Sequence, residues 1–224
     1  GISPNKIKVI PNGYDPKVFY PFPQDEKEKL KKELGLEGRK VILFVGRLTR
    51  QKGVDFLCQC VEILSKKAIF KNMEFWIVGS GIMEPLVRKL TMKYKNVRYL
   101  GLVSDHLLPS IYNKCDLFIM PSRRESFGLV AVEAQACGVP VVAFKTAGTL
   151  DTIIHNVTGT IIPIRDVGLL ASSIETYYNM KFYDYKTYRS ICENARKHVV
   201  GNYSWNIIVK KLYDMFSNLL DSYA

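Results

Sequence analysis

The sequence predicts one α/β domain built on a parallel sheet. Three observations carry that expectation: short apolar runs, segments of helical period between them, and a length of 224 residues with 47% hydrophobic content, enough for one core. The runs Val41 to Val45, Phe75 to Val78 and Leu117 to Met120 are rich in β-branched and aromatic residues. Each is too short for a helix and each is followed at once by Gly or Pro, so each reads as a strand buried on both faces.

Taken in order, Val41 to Val45 opens the sheet, and Val54 to Lys67 follows as a helix with Phe56, Leu57, Val61 and Leu64 on one face. Phe75 to Val78 is the second strand, Met83 to Tyr94 a helix and Val97 to Leu100 a further strand. Leu107 to Asn113 is helical, Leu117 to Met120 a strand, and Phe127 to Cys137 a helix that Gly138 terminates. Val139 to Phe144 and Thr160 to Ile164 read as the last strands. This alternation is the signature of right-handed βαβ units. Beyond Ile164 the pattern is helical to the end, and Trp205, Ile208, Val209, Leu212, Phe216 and Leu219 recur at three and four residues, as on an amphipathic helix.

Five cysteines (Cys58, Cys60, Cys115, Cys137 and Cys192), mostly inside apolar stretches, read as reduced core thiols of an intracellular protein, with no metal site in their spacing. No apolar run of about 18 residues and no basic-apolar leader is visible, so the chain is expected to be soluble and cytoplasmic. A formal charge of +11 attracts anions without choosing among nucleic acid, an anionic membrane face and a nucleotide diphosphate. Its basic residues, Arg123 and Arg124 included, are dispersed among acidic ones as on solvated surfaces.

In an open parallel sheet, ligands bind beyond the carboxyl ends of the strands, so the loops that follow strands are the candidate site. The first runs from Gly46 to Gly53. Gly46 permits a sharp turn, and Arg47 and Lys52 place two cations where a phosphate would meet a helix N-terminus; the loop alone reads more readily as solvated charge. Gly79-Ser80-Gly81 starts like a dinucleotide fingerprint, but Glu84 occupies the third glycine position, which disfavours a nicotinamide or flavin cofactor. Gly79 and Gly81 then either touch a ligand or close a tight turn. The third segment, Pro121 to Gly138, carries Glu125, which serves a helix dipole or a ligand. Glu133 lies in an almost wholly apolar helix and must find donors: a lysine, a backbone amide or vicinal hydroxyls of a ribose. Gly128 lets the amides of Ser126, Phe127, Gly128 and Leu129 approach an oxygen.

Glu125 and Glu133, with seven residues between them and enclosing Ser126-Phe127-Gly128-Leu129, resemble the paired-glutamate motif of the retaining glycosyltransferase group that includes glycogen synthases, sucrose synthases and lipid-linked mannosyltransferases. The resemblance extends to Ile10-Pro11-Asn12-Gly13, Gly46-Arg47, Lys52-Gly53, Gly79-Ser80-Gly81, Gly101 with Val103, and Gly138-Val139-Pro140, and spans Ile7 to Ile164 in one order. It implies the nucleotide-sugar-binding, C-terminal half of a GT-B fold. Residues 1–22 would be the interdomain crossing, 23–202 the Rossmann-like domain, and 203–224 a helix that packs toward a missing N-terminal, acceptor-binding domain. The opening Gly1 suggests an excised or processed piece.

By the same resemblance, Arg47, Lys52 and Glu125 would be catalytic. Arg47 and Lys52 would hold the donor diphosphate, Glu125 the hydroxyls of the transferred sugar and Glu133 the ribose. Ser126, Phe127, Gly128 and Leu129 would supply amides, Gly46, Gly79 and Gly81 would border the donor, and Val103 the base. No metal or other cofactor is expected, because the two cations would bear the leaving-group charge. Expected partners are a UDP-, GDP- or ADP-sugar and the missing domain, with a lipid acceptor or the inner membrane face as further partners and no nucleic acid. One departure is Ala147-Gly148-Thr149-Leu150-Asp151 in place of Gly-Gly-x-x-Glu, read as a stiffer turn. Two alternatives stay open: a basic module for RNA or anionic lipid, which leaves the paired glutamates unexplained, and a sugar phosphorylase of similar architecture.

Overall fold

The computed structural model describes residues 2–3 and 6–221. Gly1 and the last three residues of the 203–224 segment therefore lie outside the described residues. Six strands, β1 (Lys40–Val45), β2 (Met73–Val78), β3 (Val97–Gly101), β4 (Leu117–Met120), β5 (Val141–Phe144) and β6 (Gly159–Ile162), form one sheet in the order β3-β2-β1-β4-β5-β6. Every adjacent pair is parallel. Between and after them come α1 (Gln24–Glu33), α2 (Val54–Leu64), α3 (Glu84–Lys93), α4 (Leu108–Lys114), α5 (Leu129–Ala136), α6 (Ala147–Thr152), α7 (Val167–Tyr183), α8 (Tyr185–Tyr203) and α9 (Trp205–Asp221).

The period-two alternation of side chains along a strand sorts each apolar run onto two faces. Ile42 and Phe44 face a core that α2 and α7 close with Leu57, Val61, Leu64 and Ile174. Val41 and Leu43 face a second core, closed by Tyr112 of α4 with Ala131 and Ala134 of α5. Both layers are needed to keep the sheet dry, and burying each such Leu, Ile or Phe side chain contributes about 1.5–3 kcal/mol.

The strand order places a topological switch between β1 and β4, where the chain turns from one side of the sheet to the other. Loops leaving the carboxyl ends of these two neighbours diverge around a crevice, the position at which open α/β sheets bind ligands.

Three local features differ from the sequence expectation. Residues 147–151, read from the sequence as a stiffer turn, belong to the short helix α6, because Thr146 caps it: its hydroxyl accepts from the Thr149 amide at 3.3 Å, and the Thr149 hydroxyl takes the Thr146 amide at 2.8 Å. The helix expected from Phe127 begins at Leu129, because Gly128 adopts φ +86°, a left-handed conformation that stops the helix from starting earlier. Helix α1, with no buried residue, carries too little apolar period to be read from sequence.

Residues before the sheet are tied to the junction of α8 and α9. The Tyr14 amide donates to the Tyr203 carbonyl at 2.9 Å and the Trp205 amide to the Tyr14 carbonyl at 3.0 Å. A Cβ at Gly13 would stand 2.6 Å from the Trp205 indole, so only glycine lets that ring lie flat on the segment. Ile208 of α9 is buried, whereas Val209 and Phe216 on the same stripe are each 57% exposed. Among the described residues, no helix is long and apolar enough to cross a membrane.

Candidate functional site

The loops after β1 and β4 are joined at the switch by backbone and side-chain contacts. Gly53, at φ +75°, heads α2, and a Cβ there would collide with the Pro121 carbonyl oxygen, so the two loops touch backbone to backbone. The Arg123 amide donates to the Gln51 carbonyl at 2.8 Å. Arg123 also makes a two-pronged pair with Asp55 at 2.7 and 2.6 Å and lies over the Phe56 ring at 3.9 Å. Last, Lys52 Nζ donates to Glu125 Oε2 at 2.6 Å. Arg123, which the sequence places among dispersed surface charges, is thus a strut between the two loops, and no local signal in the sequence marks its pairing with Asp55, 68 positions away.

A third loop is stacked on the first. A Cβ at Gly79 would collide with the Gly46 carbonyl oxygen, and one at Gly81 would stand 2.6 Å from the Leu48 carbonyl oxygen. The Leu48 amide donates to the Ser80 carbonyl at 2.7 Å. Loop-on-loop packing therefore accounts for both glycines. On the other side, the Gly148 amide donates to the Glu125 carbonyl at 3.0 Å, and a Cβ at Gly148 would stand 2.5 Å from the Phe127 amide nitrogen. The Glu125 backbone is held between α6 and the switch.

Arg47 is exposed in the first loop. Lys52 shares that loop, and its Cγ lies about 4.0 Å from where a Gly46 Cβ would be. Its side chain is 22% exposed and that of Glu125 11%, so the pair is poorly solvated while open to a ligand from the crevice. Gly128 turns the chain into α5, whose first amides have no intrahelical acceptor. Ser126 and Leu129 are exposed there, and the Phe127 ring packs edge-on against Tyr203 at 5.3 Å.

Glu133 sits about 6 Å further along α5 from Leu129, four residues at ~1.5 Å each. Its Oε2 accepts from the hydroxyl of Tyr112, a fully buried residue of α4, at 2.9 Å. Burial raises the Glu133 pKa to about 7, Tyr112 opposes the rise and the Asp105 charge adds to it. Asp105 lies two residues past Val103, whose side chain packs on the same core as Tyr112, so the Val103 loop borders the Glu133 end of the crevice. Among the described residues the carboxylate has one side-chain donor, Tyr112, and it retains acceptor capacity for more.

A parallel sheet whose topological switch is bordered by the loops after β1 and β4 and by the head of α5 defines a Rossmann-type domain. The family model for glycosyl transferases group 1 matches residues 26–198, and the chain belongs to that family. It is 33% identical to an uncharacterized glycosyltransferase of Methanocaldococcus jannaschii over 95% of this chain and 54% of that protein. Among solved structures it resembles Anabaena HepE, crystallised with UDP and glucose (TM-score 0.79, 26% identity, 94% of this chain and 57% of that one). Its fold also matches the C-terminal domain of a glycosyl transferase group 1 family protein, LpcC, of Francisella tularensis (TM-score 0.73, 22% identity, 86% of this chain and 100% of that one). The chain spans about half the length of the curated relatives it matches.

Proposed function

We propose that this chain is the donor-binding domain of a retaining glycosyltransferase that moves a sugar from a nucleotide diphosphate to an acceptor held by the other half of the protein. The observation that carries the reading is the Lys52–Glu125 contact at the topological switch. It places the cation suited to a leaving diphosphate beside the carboxylate suited to sugar hydroxyls, in the order a nucleotide sugar presents them.

In this reading the diphosphate lies across Arg47 and Lys52 at the head of α5. The amides of residues 126–129 and the two side chains supply positive potential that grows in value as the sugar–phosphate bond breaks and charge collects on the leaving oxygen. That charge is met without a metal ion. Lys52, released by Glu125, donates to the phosphate; Glu125 then accepts from the sugar hydroxyls and fixes the ring. Glu133 accepts from the ribose hydroxyls, deeper along α5, and the base lies by Val103. UDP in the Anabaena neighbour supports a uridine donor for this chain. The five free cysteines, four of them buried, support a cytoplasmic location.

The test is calorimetric titration of UDP, GDP and ADP and their glucose forms into the chain and into Lys52→Ala. The variant is expected to lose about 1.5–3 kcal/mol, roughly ten- to hundredfold in affinity, for whichever base binds. Unchanged affinity removes Lys52 from the site.

A further inference from the structure

At the opposite end of the sheet, below the amino ends of β1 and β4, a cleft of about 350 Å³ opens between α1, α4 and α8. Its volume is in the range of small-ligand sites. Five cations line it: Lys27 and Lys31 of α1, Lys181 of α7, and Arg189 and Arg196 of α8. Three carboxylates, Glu28, Asp116 and Glu193, share the wall. Asp116 is buried and consumes two of the cations, with Lys31 at 2.5 Å on one oxygen and Lys181 on the other. Burial raises the Asp116 pKa, but the two ammonium groups overcome this and hold it well below the usual carboxylate range. Glu193 takes Arg189 at 2.8 Å, and Glu28 accepts from the Gln24 amide at 2.8 Å.

Among the described residues this leaves Lys27 and Arg196 with no carboxylate partner. Each donates instead to a carbonyl at the end of α5, Lys27 Nζ to Cys137 at 3.4 Å and Arg196 Nη1 to Ala136 at 2.6 Å. Those contacts complement the helix dipole, yet they use one donor of Lys27 and one of the five N–H groups of Arg196. Lys27 is partly buried, and that burial disfavours its charge. Phe22 and the Tyr185–Tyr188 pair, stacked at 6.2 Å, add flat apolar wall to the same space. Two uncompensated cations beside aromatic rings, in a cleft larger than one inorganic ion, fit an anion attached to an organic ring.

We infer that this cleft is a second ligand site, which takes a small organic phosphate with its phosphate on Lys27 and Arg196 and its ring along Phe22 and Tyr185. Five residue rises of ~3.3 Å along β4, about 17 Å, separate Asp116 from Pro121, so the cleft is distinct from the donor crevice. The same phosphate chemistry is offered by a free metabolite and by a lipid headgroup.

The experiment records amide resonances of the chain with UDP held saturating, while inorganic phosphate, a hexose 6-phosphate or vesicles with a phosphatidylinositol phosphate are added. The expected result is saturable shifts at Phe22, Lys27 and Arg196, persisting in Lys52→Ala and weakened at least tenfold in Lys27→Ala and in Arg196→Gln. Shifts with the soluble ester assign a free metabolite, and broadening with vesicles alone assigns a headgroup. No shifts at these positions with any probe, or shifts confined to Arg47 and Lys52, overturn the inference in the unsubstituted chain, whatever the stability of the variants.

Discussion

Replacing Glu125 with glutamine separates the two roles that the Lys52–Glu125 contact combines. In the free chain the two atoms are 2.6 Å apart with little solvent access, a charge-assisted hydrogen bond of about 1.5–3 kcal/mol. A nucleoside diphosphate must draw Lys52 away from it. Glutamine keeps the shape and an acceptor oxygen but removes the charge. If about half of the contact's value goes with the charge, roughly 0.75–1.5 kcal/mol less opposes the ligand, and a nucleoside diphosphate should bind about three- to twelvefold more tightly. The nucleotide sugar gains the same release yet loses a charged acceptor for its hydroxyls, so the preference for the sugar form over the bare diphosphate should fall about ten- to hundredfold. Titrating both ligands into both proteins measures this crossing pattern. Equal weakening of both ligands would refute the reasoning and would make Glu125 only a prop that positions Lys52.

Glu133 predicts a pH dependence. Its pKa in the free chain is about 7, and ribose hydroxyls donating to it favour the ionised form, so donor binding releases a proton. Affinity should rise about tenfold from pH 6 to pH 8 and level off above, by calorimetry in two buffers of different ionisation enthalpy; a flat profile counts against Glu133 at the ribose. Tyr112→Phe removes the hydroxyl that donates to that carboxylate, so the midpoint of the profile should move to higher pH, with the fold kept. Gly53→Ala sets a Cβ against the Pro121 carbonyl at a positive φ, and should cost at least about 2 kcal/mol in denaturant unfolding together with much of the donor affinity. Wild-type stability in that variant would show the loop contact to be soft.

Much of the sheet was legible because both of its faces are buried. Val41 to Val45, Phe75 to Val78 and Leu117 to Met120 are apolar without a break, and each stops where its loop begins. Val139 and Pro140 also read as strand, yet the ladder starts at Val141: a proline gives no N–H, and its carbonyl instead accepts from Phe118 at 3.0 Å. Helix α1 was hidden for the opposite reason, since its residues answer to long-range contacts such as Lys31 with Asp116, 85 positions away.

The candidate residues could be read as types in loops after strands, but not as contacts. Nothing in a single sequence tells that Lys52 reaches Glu125, that Tyr112 holds Glu133, or that Arg123 spans to Asp55, because each pair joins segments 21 to 73 residues apart. The glycines at 79 and 81 show the same limit from the other side. Their spacing resembles a nucleotide loop, whereas the folded chain uses them to seat one backbone on another.

The most direct measurement is a crystal structure of the chain grown with UDP and glucose. Lys52 Nζ should have left Glu125 for a phosphate oxygen, with Arg47 on the same diphosphate, the ribose on Glu133 and the uracil beside Val103. A nucleotide bound anywhere else, or one seated there with Lys52 still on Glu125, would contradict the account.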